Sequence, residues 1–192
     1  MRRASLRPFM IGIAAGLATV GLIVAVAVDS QVTDDFAVLA SRNLGLPIPN
    51  LKRADMPRDT FGEIRANGKP HEATDIMAPR GTPVLAIGDG TVTKLFYSRS
   101  GGNTVYEFDP PQVYCYYYAH LDRYASGTRE GMFVHKGDVL GYVGSTGDAS
   151  PDAPHLHLAI FRLGPEKQWW VGTAINPYPL LMRILDEQRY TE

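Results

Sequence analysis

The chain has 192 residues, 45% hydrophobic and 20% charged, with 19 Gly and 14 Pro, which is room for one ordinary domain rich in tight turns. Its net charge is −1, and Arg2, Arg3 and Arg7 are the only ionisable side chains before Asp29; without them, 19 basic side chains fall to 16 against 20 acidic. That balance leaves no electrostatic footprint for nucleic acid and excludes a polyanion-binding role.

The first element in chain order is an apolar run at residues 9–28, uncharged and with Thr19 its one strongly polar side chain. As a helix it would span about 30 Å, the thickness of a bilayer's hydrocarbon core. Three arginines precede it and Asp29, Asp34 and Asp35 follow, which predicts a cytoplasmic residue 1–8 segment and an exported remainder. Ala25-Val26-Ala27 could serve as a cleavage site, yet the run is longer than the core of a usual signal peptide. An uncleaved anchor is therefore favoured over a cleaved signal; in the second case the product is periplasmic or secreted. Residues 29–58, with Leu44 to Asn50 and then scattered charges, read as a tether and lead-in.

From residue 59 to 180 the pattern is one of short β-type runs between turn signals. Strands are predicted at 82–87 and 91–97 around Gly88-Asp89-Gly90. A hairpin follows at 104–108 and 113–121 around Asp109 to Gln112. Val139 to Val143 and residues 155–162 complete the set. Aromatic and β-branched residues dominate them, as a pleated, half-buried surface requires. A short helix is expected after Pro179, and residues 181–192 are a tail. The fold class is all-β, an antiparallel sheet preceded by one N-terminal anchor helix. Cys115, the only cysteine, excludes an intrachain disulfide and is expected to be buried in its strand.

Four of the five histidines fall in three local patterns: His71-Glu-Ala-Thr-Asp75, Tyr118-Ala-His120-Leu121 and Pro154-His155-Leu-His157. In a strand, His155 and His157 point to one face about 7 Å apart. They could both bind a metal, or one could bind it while the other faces a substrate. His71 and Asp75 would lie about 13 Å apart if fully extended, so the chain must bend between them to share an ion. Tyr118 shares the face of His120 in an extended strand, so it is expected in the core or on a groove wall. His135 reads as an exposed turn residue. Glu72 and the pair Trp169-Trp170 are left without a role.

Taken together and in order, these patterns resemble the lysostaphin/LytM-type zinc endopeptidases of the M23 peptidase family. The resemblance runs through Ile76-Met-Ala-Pro-Arg-Gly-Thr-Pro-Val84, Asp89-Gly-Thr-Val92, Val134-His-Lys-Gly137 and Gly141 to Gly147, and covers roughly residues 60–180. It implies a compact antiparallel sheet with a substrate groove. It also implies one Zn2+ per domain held by His71, Asp75 and His157, with His120 and His155 as catalytic non-ligands. The expected substrate is the cross-link or stem peptide of bacterial peptidoglycan. The other expected partners are the membrane, through the N-terminal helix, and a regulatory protein. Some members of the family lack ligands and activate wall amidases without cutting; the full set of five residues here favours the enzyme.

Overall fold

The computed structural model describes residues 35–65 and 68–189. The expected anchor at residues 9–28 lies outside them, and among the described residues no helix is long and apolar enough to cross a membrane. Nine strands form one antiparallel sheet: β1 Thr74–Met77, β2 Pro83–Leu85, β3 Gly90–Ser98, β4 Gly102–Phe108, β5 Tyr114–Tyr124, β6 Phe133–Val134, β7 Val139–Val143, β8 His155–Leu163 and β9 Gly172–Ile175. The order along the main path is β1-β8-β5-β4-β3-β6, with β9 on β8, β7 on β5 and β2 on β7. A closing helix, Tyr178–Arg189, carries Pro179 in its first turn, where a missing N–H costs no hydrogen bond.

The alternation of β8 sorts its side chains cleanly. Leu156, Leu158 and Ile160 are buried, whereas His155, His157, Ala159 and Phe161 stand on the opposite, partly open face. Directly paired residues share a face, so the pairs Tyr117↔Ala159 and Cys115↔Phe161 place Cys115 and Tyr117 on the histidine side. Tyr114, Tyr116 and Tyr118 turn the other way, into the main core with Ile76, Val84, Leu121 and Leu140. Cys115 is fully buried in a smaller cluster with Phe108 and Leu163.

Three strands were not apparent in the sequence. β1 is four residues long, β6 is two, and β9 is Gly-Thr-Ala-Ile, all too short to display an alternation. The expected strand at 82–87 is shorter than read, because Ala86 bonds to the 136–138 turn, its N–H to the Asp138 carbonyl and its carbonyl to the Gly137 N–H. Residues 35–51, read as part of a tether, lie on the sheet. Residues 35–40 are helical, and Leu39, Ile48 and Leu51 belong to the main core.

Candidate metal centre and groove

The edge strand β1 lies antiparallel on β8 with Asp75 opposite His157. His71 precedes β1 and must reach back to the same point. The turn is made at Glu72, whose φ of 55° is left-handed. That is a costly conformation for a residue with a Cβ, and it supplies the bend that extended geometry demanded. The ligand-capable atoms of His71, Asp75 and His157 lie within 4.8 Å of one another. His71 Nε2 is 3.0 Å from Asp75 Oδ1 and 3.2 Å from His157 Nδ1, and His157 Nδ1 is 2.8 Å from Asp75 Oδ1.

These spacings fit a small cation. Donors about 2.0–2.2 Å from one tetrahedral centre stand about 3.3–3.6 Å apart, and a slight relaxation of the trio provides that. The chemistry of the set agrees. Two imidazole nitrogens and a carboxylate oxygen are all lone-pair groups, so their convergence is repulsive unless a proton or cation sits among them. Burial acts to raise Asp75, but hydrogen bonds and charges from His157 and His71 outweigh it and hold the carboxyl below the usual range. Burial, only partly offset by Asp75, lowers the pKa of His157. Neutral His157 and ionised Asp75 are the forms that ligate metal.

Partners outside the trio fix its orientation. Thr60 Oγ1 lies 3.0 Å from His71 Nδ1; with the proton on Nδ1 it accepts, leaving the Nε2 lone pair to face the cluster. Arg65 pairs with Asp75 Oδ2, leaving Oδ1 for the centre. Neither residue could be found from sequence. Both are ordinary polar side chains in an irregular segment.

His120 and His155 flank the trio. The ring of His120 lies 4.8 Å from that of His155 and 5.5 Å from that of His157. The Thr146 carbonyl, 2.8 Å from His120 Nδ1, can only accept, and so can the Ala153 carbonyl 2.9 Å from His155 Nδ1. Each Nδ1 therefore carries the proton and each Nε2 is left as a base. Burial, partly opposed by the Thr146 carbonyl, lowers the pKa of His120.

Strand alternation would put His120 beside Tyr118 in the core. Its backbone prevents this: φ at His120 is 59°, and the ring turns over to the metal side. Tyr118 is consequently fully buried, accepting from the Ile87 N–H and donating to Glu107 Oε2. The tyrosine that β5 places on the groove wall is Tyr117, beside Tyr106 of β4. His135 is exposed, as expected, within 3.7 Å of Asp89.

Two clefts meet at the trio, and His71, Tyr117 and His157 line both. One, of about 280 Å³, runs over aromatic side chains to Trp170; the other, of about 580 Å³, passes His120 and His155 toward Arg65, Lys69 and Asp148.

The sheet thus presents, in an open groove, a His/Asp/His cluster able to hold one small cation, beside two further imidazoles. The chain belongs to Peptidase family M23, whose model matches residues 69–177. It is 35% identical over 131 residues to an L-Ala--D-Glu endopeptidase of Bacillus subtilis (strain 168), covering 65% of this chain and 39% of that protein. It is 42% identical over 106 residues to the peptidoglycan DD-endopeptidase ShyC of Vibrio cholerae, covering 55% of this chain and 22% of that one. The chain thus spans well under half the length of either relative. The solved catalytic domain of the antimicrobial peptidase lysostaphin from Staphylococcus simulans superposes with a TM-score of 0.53 at 28% identity, over 76% of this chain and 96% of that one.

Proposed function

We propose that this protein is a zinc-dependent endopeptidase that hydrolyses peptide bonds in the cross-links or stem peptides of bacterial peptidoglycan, from a position in the cell envelope. The carrying observation is the convergence of His71, Asp75 and His157 to within 4.8 Å, at the junction of two clefts. The named activities of the curated relatives support the substrate class. The arginines at 2, 3 and 7 before the apolar run at 9–28 support an exported domain, anchored or released.

His71, Asp75 and His157 would hold the zinc, three protein ligands being the number that leaves a catalytic site one position open. Bound there, zinc supplies a water of lowered pKa and an electrophile for the scissile carbonyl. His120 and His155, with Nδ1 pinned and Nε2 turned inward, take the proton from the attacking water and return it to the departing amine. In its protonated form either ring also stabilises negative charge on the carbonyl oxygen. Thr60 and Arg65 orient the ligands.

The test separates ligand from proton carrier. His157→Ala is expected to purify with little zinc. His155→Ala is expected to keep close to one zinc per chain while losing at least about a hundredfold in turnover on purified peptidoglycan. Metal-free His155→Ala protein, or full turnover in either variant, would overturn this division of roles.

A further inference from the structure

The two arms of the groove differ in chemistry. On one side Tyr106, Tyr117 and Phe161 form an aromatic wall beside His157, and Trp170 closes its far end with 60% of its surface exposed. The rings are braced against one another. Trp170 meets Trp169 edge-on at 5.0 Å, Trp169 meets Tyr106 at 4.7 Å, and Tyr106 meets Tyr117 at 4.6 Å. Gly172 also lines this cleft, and a Cβ there would meet the Phe161 ring at 2.4 Å. An exposed tryptophan held by such a stack loses little entropy when something settles on it, which is the property of a binding anchor.

Among the described residues no lysine or arginine lines this arm, and the one carboxyl side chain lining it is that of Glu72. A carboxylate there would face Glu72 with no lysine or arginine beside it, whereas Arg65 and Lys69 line the opposite arm. The occupant of the aromatic arm therefore carries no carboxylate. It is also close to the bond being cut, since the cleft starts at His71 and His157 themselves. At about 280 Å³ it lies near the lower end of ligand-sized clefts, about 300–1,000 Å³, and takes one ring-sized group.

Peptidoglycan offers one uncharged ring near a peptide bond, the N-acetylated sugar from which each stem peptide hangs. The apolar C–H face of a sugar packs against the electron-rich face of an indole, and Glu72 and the tyrosine hydroxyls can meet its hydroxyl and acetamido groups. We propose that the aromatic arm is a subsite for a glycan sugar ring, so that the enzyme cuts sugar-linked stems close to the sugar in preference to bridges remote from it. This rests on the endopeptidase reading above.

Trp170 lines this cleft and Trp169 stacks on it and on Tyr106, so intrinsic tryptophan emission is sensitive to an occupant. Titration of the full chain with N-acetylglucosamine oligomers is expected to give a saturable emission change that Trp170→Ala abolishes and Trp170→Phe weakens. In parallel, kcat/KM is compared for a stem peptide with and without its sugar. The wild type is expected to prefer the sugar-linked form by about tenfold, with the ratio near one in Trp170→Ala and largely restored in Trp170→Phe. No saturable emission change, a wild-type ratio near one, or a ratio unchanged in Trp170→Ala would each overturn the subsite. Failure of the zinc-loaded protein to cut either peptide would overturn the endopeptidase reading instead, and the emission titration would then decide the subsite by itself.

Discussion

Two of the five left-handed non-glycine backbones among the described residues lie at the groove. Glu72 and His120 both hold left-handed backbones, and each turns a side chain or a chain direction toward the cluster. Gly102 supports the second of these. Its φ is 62°, and a Cβ would lie 2.4 Å from the Thr146 carbonyl carbon and 2.6 Å from the Gly147 nitrogen. The same Thr146 carbonyl holds His120 Nδ1. A left-handed alanine alone costs about 1–2 kcal/mol, and backbone neighbours cannot step aside as a side-chain tip can. Gly102→Ala is therefore expected to lose at least about 2 kcal/mol in urea denaturation and to depress turnover while zinc is retained. A variant as stable and as active as the parent would contradict the account.

Glu107 offers a separate residue-scale prediction, remote from the groove. Burial is the chief cause that pushes its carboxyl up to about 8 from 4.5, with Asp89 and Asp109 adding repulsion and only the Tyr118 hydroxyl opposing. Its Oε1 has no hydrogen-bond partner among the described residues. A group that binds its proton more tightly when folded stabilises the fold fully below 4.5, and that contribution is lost as pH rises toward 8. Denaturation at pH 5 and pH 8 is expected to show a decline of up to about 1 kcal/mol per pH unit from this source. In Glu107→Gln that decline is expected to shrink, and equal slopes in the two proteins would refute it.

At the scale of elements, β8 is the strand on which the site depends. It joins β1, bearing Asp75, to β5, bearing His120, and carries His155 and His157 itself. Its core-facing side chains set the register of all three. Leu158 is fully buried opposite both Thr74 and Tyr118, and Leu158→Ala is expected to cost about 2–5 kcal/mol. Phe133→Ala on the edge strand β6, where the ring is half exposed, is expected to cost less than about 1 kcal/mol. Comparable losses in the two would mean that β8 is not the organising strand.

The elements also mark what was legible in advance. Long strands with alternating or aromatic-rich sequences, β3, β4, β5 and β8, were read within a few residues. β1, β6 and β9 were not, since four residues or fewer carry no period. The His-x-His alternation was read correctly because β8 is regular. The face of Tyr118 was left between core and groove because strand logic assumes an extended backbone, and His120 departs from it. The bend between His71 and Asp75 was deducible from reach alone, but nothing about glutamate marks Glu72 as the hinge. Thr60 and Arg65 act through contacts that only folding brings about.

For the molecule as a whole, the segment before the family's matched region is part of the fold. The family model begins at residue 69, yet residues from Asp35 onward fall in one contact unit with the sheet. Asp35, buried, accepts from the Tyr114 hydroxyl at 3.0 Å and pairs with Arg162 at 3.1 Å. Arg42 pairs with the fully buried Asp109 side chain and stands over the Tyr114 ring. The chain then runs beside β2, with the Gly45 N–H on the Ile87 carbonyl and the Leu85 N–H on the Pro47 carbonyl. Burial of Leu39, Ile48 and Leu51 contributes about 1.5–3 kcal/mol each, a sum that rivals the net stability of about 5–15 kcal/mol typical of a domain. Removing the segment also takes from Asp109 the Arg42 guanidinium that pairs with it. A chain beginning at residue 59 keeps every groove residue, Thr60 included. It is nonetheless expected to lose its cooperative thermal transition and its zinc, whereas one beginning at residue 29 keeps both. Calorimetry and metal analysis of the two would decide the matter. A residue-59 chain melting within about 3 °C of the longer one would show that these contacts only decorate a sheet that stands without them.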